Sequence, residues 1–248
     1  MGIMELILNK EKDKSVGVVF LTLEGLCAIT LLFAALRRKL NYVGLCLSSM
    51  LLLFAPSLLE RLFHVHIRPG MKKALMIYAV AGPVGGNVYQ LYFTIPFWDK
   101  ILHILCGVLF AMLGYSLPDL LEPNHDHSTA FRCISAVCIA MTVGALWEIY
   151  EFCGDTFFGL DMQNDTVISG FSSYLLSDTI GERGAVSEVT SVIVNGKDLG
   201  VGGYIDIGLR DTMLDLIMCL FGSVGVCLAA KLSKKPMPPM IERVRAER

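Results

Sequence analysis

Charge is what this chain has least of. Of its 248 residues only 18% are charged, and the net charge is −2. A soluble domain carries about 25% charged residues, and a nucleic-acid partner would require a basic field that is absent here. The eight cysteines form no CxxC pair, and all but Cys153 lie in apolar runs. That spacing argues against a zinc or disulfide framework and leaves thiols packed as small hydrophobes. There is no GxSxG, HExxH, P-loop or dinucleotide-binding motif. The first apolar run, 16–36, is too long for a cleavable leader and follows mixed charges, so it is expected to be a retained transmembrane helix.

Apolar residues are present in excess, at 54%, which points to lipid as the solvent. Six stretches approach the ~20 residues a bilayer requires: 16–36, 41–62, 74–95, 101–118, 130–151 and 212–232. The fold class expected is all-α, a polytopic transmembrane helical bundle of about six spans forming one integral membrane domain over 1–248. Gly82-Pro83 and Gly85-Gly86 interrupt the third stretch, and a kinked or broken helix is expected there. Between the fifth and sixth spans lies a long loop, 152–210. Its second half carries Val189–Val194, Asn195-Gly196 and Tyr204–Ile207, a β-hairpin pattern over 189–207.

Basic residues suggest an orientation. Residues 233–248 form a basic tail with Lys234, Lys235, Arg243, Arg245 and Arg248, preceded by Lys231. The tail is therefore expected to be cytoplasmic, with Arg61, Arg68, Lys72 and Lys73 on the same side, and the long loop extracytoplasmic. Arg37, Arg38 and Lys39 run against this scheme, which places their turn outside.

Three motifs set ionisable groups against apolar segments: Asp99-Lys-Ile-Leu-His103, Trp147-Glu148-Ile-Tyr-Glu151, and Asp211-Thr-Met-Leu-Asp215. Spacings of three and four residues put each set on one helical face. The motifs open the fourth span, close the fifth and open the sixth, so an alternating bundle brings all three to one membrane face. The same faces continue through Gly107 and Gly114, Gly144, and Gly222, and small residues mark close helix contacts in membranes. The acids are thus expected to face inward. Inward carboxylates require either a cation among them or protonation. Oxygen donors with a single imidazole suit Mg, Mn, Ca or Fe.

A simpler reading stands beside this one. Asp99 and Asp211 fall at helix N-termini, where a carboxylate caps free N–H groups. Capping does not account for Glu148 and Glu151 at a helix C-terminus, nor for His103 and Asp215 one turn deeper. Glu24 lies mid-span, where an acid flags function by default, although a hydrogen bond to a neighbouring helix would also explain it. The histidines at 64, 66, 125 and 127 read as turn residues, and "DMQND" at 161–165 is a faint calcium-loop pattern.

"FWDKILHILCG", "WEIYEF" and "DTMLDL", in this order and spacing, resemble the YjdF-like family of bacterial inner-membrane proteins, with a fainter likeness to VanZ-like proteins. The likeness covers about residues 50–225 without the long loop, and it extends through "APSLLERLF" and "LYFTIPFW". It implies an integral membrane protein of the cell envelope, and it carries over Asp99, His103, Glu148, Glu151, Asp211 and Asp215 as a unit.

The sequence thus favours a multi-pass protein acting on a membrane lipid or lipid-linked envelope substrate, with or without a divalent metal, and no nucleic-acid partner. Asp99, His103, Glu148 and Asp215 are candidate ligands or acid–base groups, and Glu151 and Asp211 candidate orienting groups. An ion- or proton-coupled transporter or flippase using Glu24, and a non-catalytic envelope protein, are the alternatives.

Overall fold

The structure is a computed structural model, and it describes residues 14–233 and 237–244. Lys234, Lys235, Arg245 and Arg248 of the basic tail lie outside the described residues. The chain divides into two compact units, 1–144 with 216–248, and 145–215.

The first unit holds most of the apolar helix. α1 (Lys14–Leu36) is followed by α2 (Leu40–Leu53) and α3 (Ala55–Phe63), which meet at Phe54 with Pro56 in the first turn of α3. At 1.5 Å per residue, the 23 residues of α1 reach ~34 Å, enough for a hydrocarbon core of ~30 Å. α6 (Trp98–Leu121), α7 (Thr129–Phe158) and α8 (Leu209–Leu232), the last two of which continue into the second unit, meet the same requirement. Among the described residues, five helical stretches are long and apolar enough to cross a membrane, counting α2 with α3 as one. Their outward positions, such as Ile29, Phe33, Leu51 and Phe221, are exposed and apolar, as lipid-facing helices require.

The third expected span, 74–95, is not one helix. α4 (Pro69–Val80) passes into a π-helical segment, Ala81–Val88, and then into the short α5 (Leu91–Thr94). The cause is local. Pro83 has no N–H to donate and crowds the preceding turn, and the glycines lower the cost of wide turns. Gly86 also leaves the space that the Tyr92 ring occupies. Tyr89 fastens the segment to α1 through a 2.8 Å hydroxyl contact with Thr30.

A small cluster of Ile67, Met71 and Leu109 and two larger cores hold this unit. One joins α1, α2, α4 and the π segment around Phe20, Cys27, Cys46, Leu53, Met76 and Val84. The other joins α6, α7 and α8 around Cys106, Ala111, Ala136, Ala140 and Cys219. Thiols take part as expected, since Cys219 donates to the Ala140 carbonyl at 3.4 Å. A strand near the tail, β8 (Ile241–Arg243), pairs antiparallel with β1 (Val65–Ile67), which follows α3.

The second unit contains the long loop, with six short strands in three antiparallel pairs. β2 (Thr166–Ile168) pairs with β7 (Tyr204–Asp206), β3 (Phe171–Ser173) with β4 (Gly184–Val186), and β5 (Ile193–Val194) with β6 (Lys197–Asp198). The hairpin expected over 189–207 is therefore shorter. Asn195 and Gly196 do turn the chain, both with positive φ (51° and 80°), as a two-residue hairpin turn needs. The return strand is Lys197–Asp198, and Tyr204 instead aligns with Ile168. Asp155 organises the start of this unit, its carboxylate accepting the backbone N–H groups of Met162 at 2.6 Å and Gln163 at 2.9 Å.

Candidate functional site

Close helix packing sets the site. A Cβ on Gly107 of α6 would run into the Cys219 carbonyl of α8, and one on Gly222 into the Ile104 carbonyl of α6. A Cβ on Gly114 would crowd Ile139 and the Ser135 and Ala136 backbone of α7, and Gly144 faces the Cys219 thiol. The Ser135 hydroxyl donates to the Gly114 carbonyl at 2.8 Å. These glycines lie on the faces that carry the acids, so the faces do turn inward.

α6 begins after Phe97, which takes a left-handed conformation at φ 62°, uncommon for a bulky residue. No side chain caps this helix at Phe97. The Asp99 carboxylate accepts from Lys100 Nζ at 2.9 Å, and its other oxygen lies 3.7 Å from His103 Nε2. His103 is buried, and Asp99 is half-buried. On α8, Asp215 is 1% exposed, a burial reached by very few carboxylates without partners. Asp99, His103 and Asp215 each offer one ligand atom, and these three atoms lie within 4.8 Å of one another.

The other expected site residues fall outside that group of three. Glu148 is buried without being a member. Glu151 is buried and accepts from the Trp147 indole at 2.8 Å. Asp211 accepts from the backbone N–H of Asn164 at 2.9 Å and from its side-chain amide at 3.3 Å, which ties the start of α8 to the long loop. Glu24 lies in α1, with Oε1 buried and without a hydrogen-bond partner among the described residues.

One residue was missed at the sequence level. The Trp98 indole N–H is buried with no partner among the described residues, immediately before Asp99. Its signal was present in "FWDK", since a tryptophan at a polar helix start needs an acceptor for its N–H.

In the long loop, slight desolvation of the exposed side chain first, and then the neighbouring charges of Asp161, Asp155 and Asp206, push the Asp165 carboxyl above its ordinary value. Asp161 and Asp165 belong to the "DMQND" stretch, and Asp155, six residues before it, is engaged by backbone donors.

The "predicted membrane protein" family model DUF2238 matches residues 19–235. The chain belongs to that family. It is 27% identical over 153 residues to an uncharacterized protein of Thermotoga maritima, an alignment covering 60% of this chain and 76% of that protein. No solved structure matches. The family description and the apolar helices agree on a multi-pass membrane protein.

Proposed function

We propose that this protein is a membrane-embedded enzyme of the cell envelope that binds a divalent metal through Asp99, His103 and Asp215 and acts on a lipid or lipid-linked substrate. The observation that carries the reading is the approach of two carboxylates and one imidazole to within 4.8 Å, on helices whose glycines allow close contact. Two oxygen donors and one nitrogen suit Mg, Mn, Fe or Ca. A metal there would supply a polarised ester or phosphoryl oxygen and a bound water of lowered pKa.

The chain's own groups then have distinct tasks. His103 and Asp99, one turn apart on α6, would offer the imidazole and a carboxylate to the metal together. Glu148 serves as the proton carrier, while Glu151 and Asp211 hold the surrounding helices in register. The Trp98 indole is a donor suited to an anionic substrate oxygen, because a buried N–H without a partner costs about 1–3 kcal/mol until it finds one. The likeness of the three motifs to YjdF-like and VanZ-like proteins supports an envelope setting. The basic residues flanking α3 and α4 support a cytoplasmic tail and an extracytoplasmic loop.

The test is metal binding by the purified chain. Titration with Mg, Mn, Ca and Fe(II) should show one saturable site, weakened at least tenfold in His103→Gln and in Asp215→Asn while the fold persists. Equal binding by these variants would remove the reading. A second reading rests on Glu24, whose unpartnered oxygen in α1 suits a proton- or ion-coupled transporter. It predicts that Glu24→Gln abolishes transport of a coupling ion into proteoliposomes and leaves metal binding intact.

A further inference from the structure

A cleft of about 640 Å³ opens in the first unit between α4, α6 and β8, within the ~300–1,000 Å³ typical of ligand sites. Its floor is apolar, with Met71 and Ala74 from α4 and Leu109 and Met112 from α6. Its mouth is polar, with His66 of β1 and Arg68 just before α4. The third wall comes from the tail segment, through Met240 and Glu242.

That wall is fixed rather than loose. Ile241–Arg243 pairs with Val65–Ile67 in register, His66 opposite Glu242. The Met240 N–H donates to Ser116 Oγ at 2.8 Å, the Met240 carbonyl accepts from the Arg68 N–H at 2.9 Å, and Arg243 Nε donates to the Leu120 carbonyl at 2.8 Å. Beneath the mouth Lys72, only 3% exposed, pairs with Glu60 at 2.8 Å, and the same carboxylate receives the Ile67 N–H at 2.7 Å and stands 3.2 Å from His66 Nδ1. The negative charge of Glu60 is thereby consumed within the fold, and that of Glu242 is matched by Arg68 at 3.3 Å.

We infer that this cleft binds an anionic phospholipid, with an acyl chain on the Met71–Ala74–Leu109–Met112 floor and the headgroup phosphate at the Arg68 mouth. Shape, position and charge support this occupant. Three methionines line the cleft, and their unbranched, polarisable side chains fit an irregular chain better than rigid ones. The floor runs along two apolar helices and the mouth lies at their polar ends, matching the order of tail and headgroup in a leaflet. Around the mouth, residues 60–73 and 240–244 carry five basic side chains (Arg61, Arg68, Lys72, Lys73 and Arg243) against two acids, Glu60 and Glu242. An excess of this sign attracts anionic lipid. The site is independent of the Asp99 group, and neither proposal needs the other.

The full-length protein, delipidated in neutral detergent, should be titrated with phosphatidylglycerol and with phosphatidylcholine and read by native mass spectrometry. Phosphatidylglycerol should bind at one site, roughly fivefold or more tighter than phosphatidylcholine, as about 1 kcal/mol per basic residue implies. Arg68→Gln, an exposed change outside the core, should bring the two lipids to equal affinity. Ala74→Trp should abolish the site by filling its floor, and Met112→Trp should do the same from α6 where Ala74→Trp fails to fold. Inorganic phosphate should not compete with phosphatidylglycerol, because the acyl chain carries most of the contact. Equal affinity for both lipids in the unaltered protein, an unchanged preference in Arg68→Gln, or undiminished binding in a folded Trp variant would overturn the proposal.

Discussion

Gly107 of α6 packs so closely on the Cys219 carbonyl of α8 that a single methyl group has no room between them. The obstacle is backbone, which cannot rotate aside as a side chain can. Gly222 meets the Ile104 carbonyl in the same way from the opposite helix, so the two glycines form one reciprocal contact. Gly107→Ala should therefore force the helices apart. The expected loss is about 1–3 kcal/mol, the range for overpacking, read as a lowered melting temperature in detergent. Gly25, which has open space where a Cβ would go, should tolerate alanine with no measurable change.

The Lys72–Glu60 pair gives a second prediction. Removing one member of a buried pair strands the other, at a cost of roughly 3–5 kcal/mol. Lys72→Met alone should destabilise the protein strongly. Lys72→Met combined with Glu60→Gln should recover much of the loss, because no unpaired charge then remains. A double variant no better than the single one would mean that lysine packing, rather than charge pairing, is what matters.

Much of the helical architecture was legible because its cause is local. Length and hydropathy mark the spans, Gly82-Pro83 marks the break, and the glycines below Asp99, Glu148 and Asp215 mark the packed faces. The i, i+4 spacing puts Asp99 and His103 on one face of α6, and the alternation of the spans brings the Asp215 end of α8 to the same membrane face. The β1–β8 pair was not legible, because a three-residue strand carries little pattern and its partner lies far away in sequence. The pairing of Tyr204 with Ile168 is hidden for the same reason: the Asn195-Gly196 turn is read locally, while β2 is a distant partner. Nothing in the sequence marks Lys72 as buried, and only the fold shows it in the interior, paired with Glu60.

Asp165 supplies a pH-dependent prediction. Its proton is held more tightly in the fold than in the unfolded chain, so protonation favours the fold. That contribution is fully present below the ordinary value of 3.8 and is lost as pH rises through the higher folded value. Asp165→Asn, which mimics the neutral form, should melt at a higher temperature than the unaltered protein at pH 7 and at the same temperature at pH 3.5. The effect is small because the side chain is exposed. A variant that melts lower at pH 7 would show that the carboxylate is stabilising instead.

The Trp98 indole should respond to substrate. If its N–H serves an anionic oxygen, Trp98→Phe should weaken substrate binding about tenfold, the scale of one charge-assisted hydrogen bond, with metal affinity unchanged. A parallel loss of metal affinity would place Trp98 in the support of the helix start rather than at the substrate.

The most direct measurement is calorimetric titration of the purified protein with Mn(II), alongside His103→Gln and Asp215→Asn. The account predicts one site per chain in the unaltered protein and at least tenfold weaker binding in each variant, with melting behaviour preserved before metal is added. Absence of a saturable site, or equal affinity in all three proteins, would contradict it.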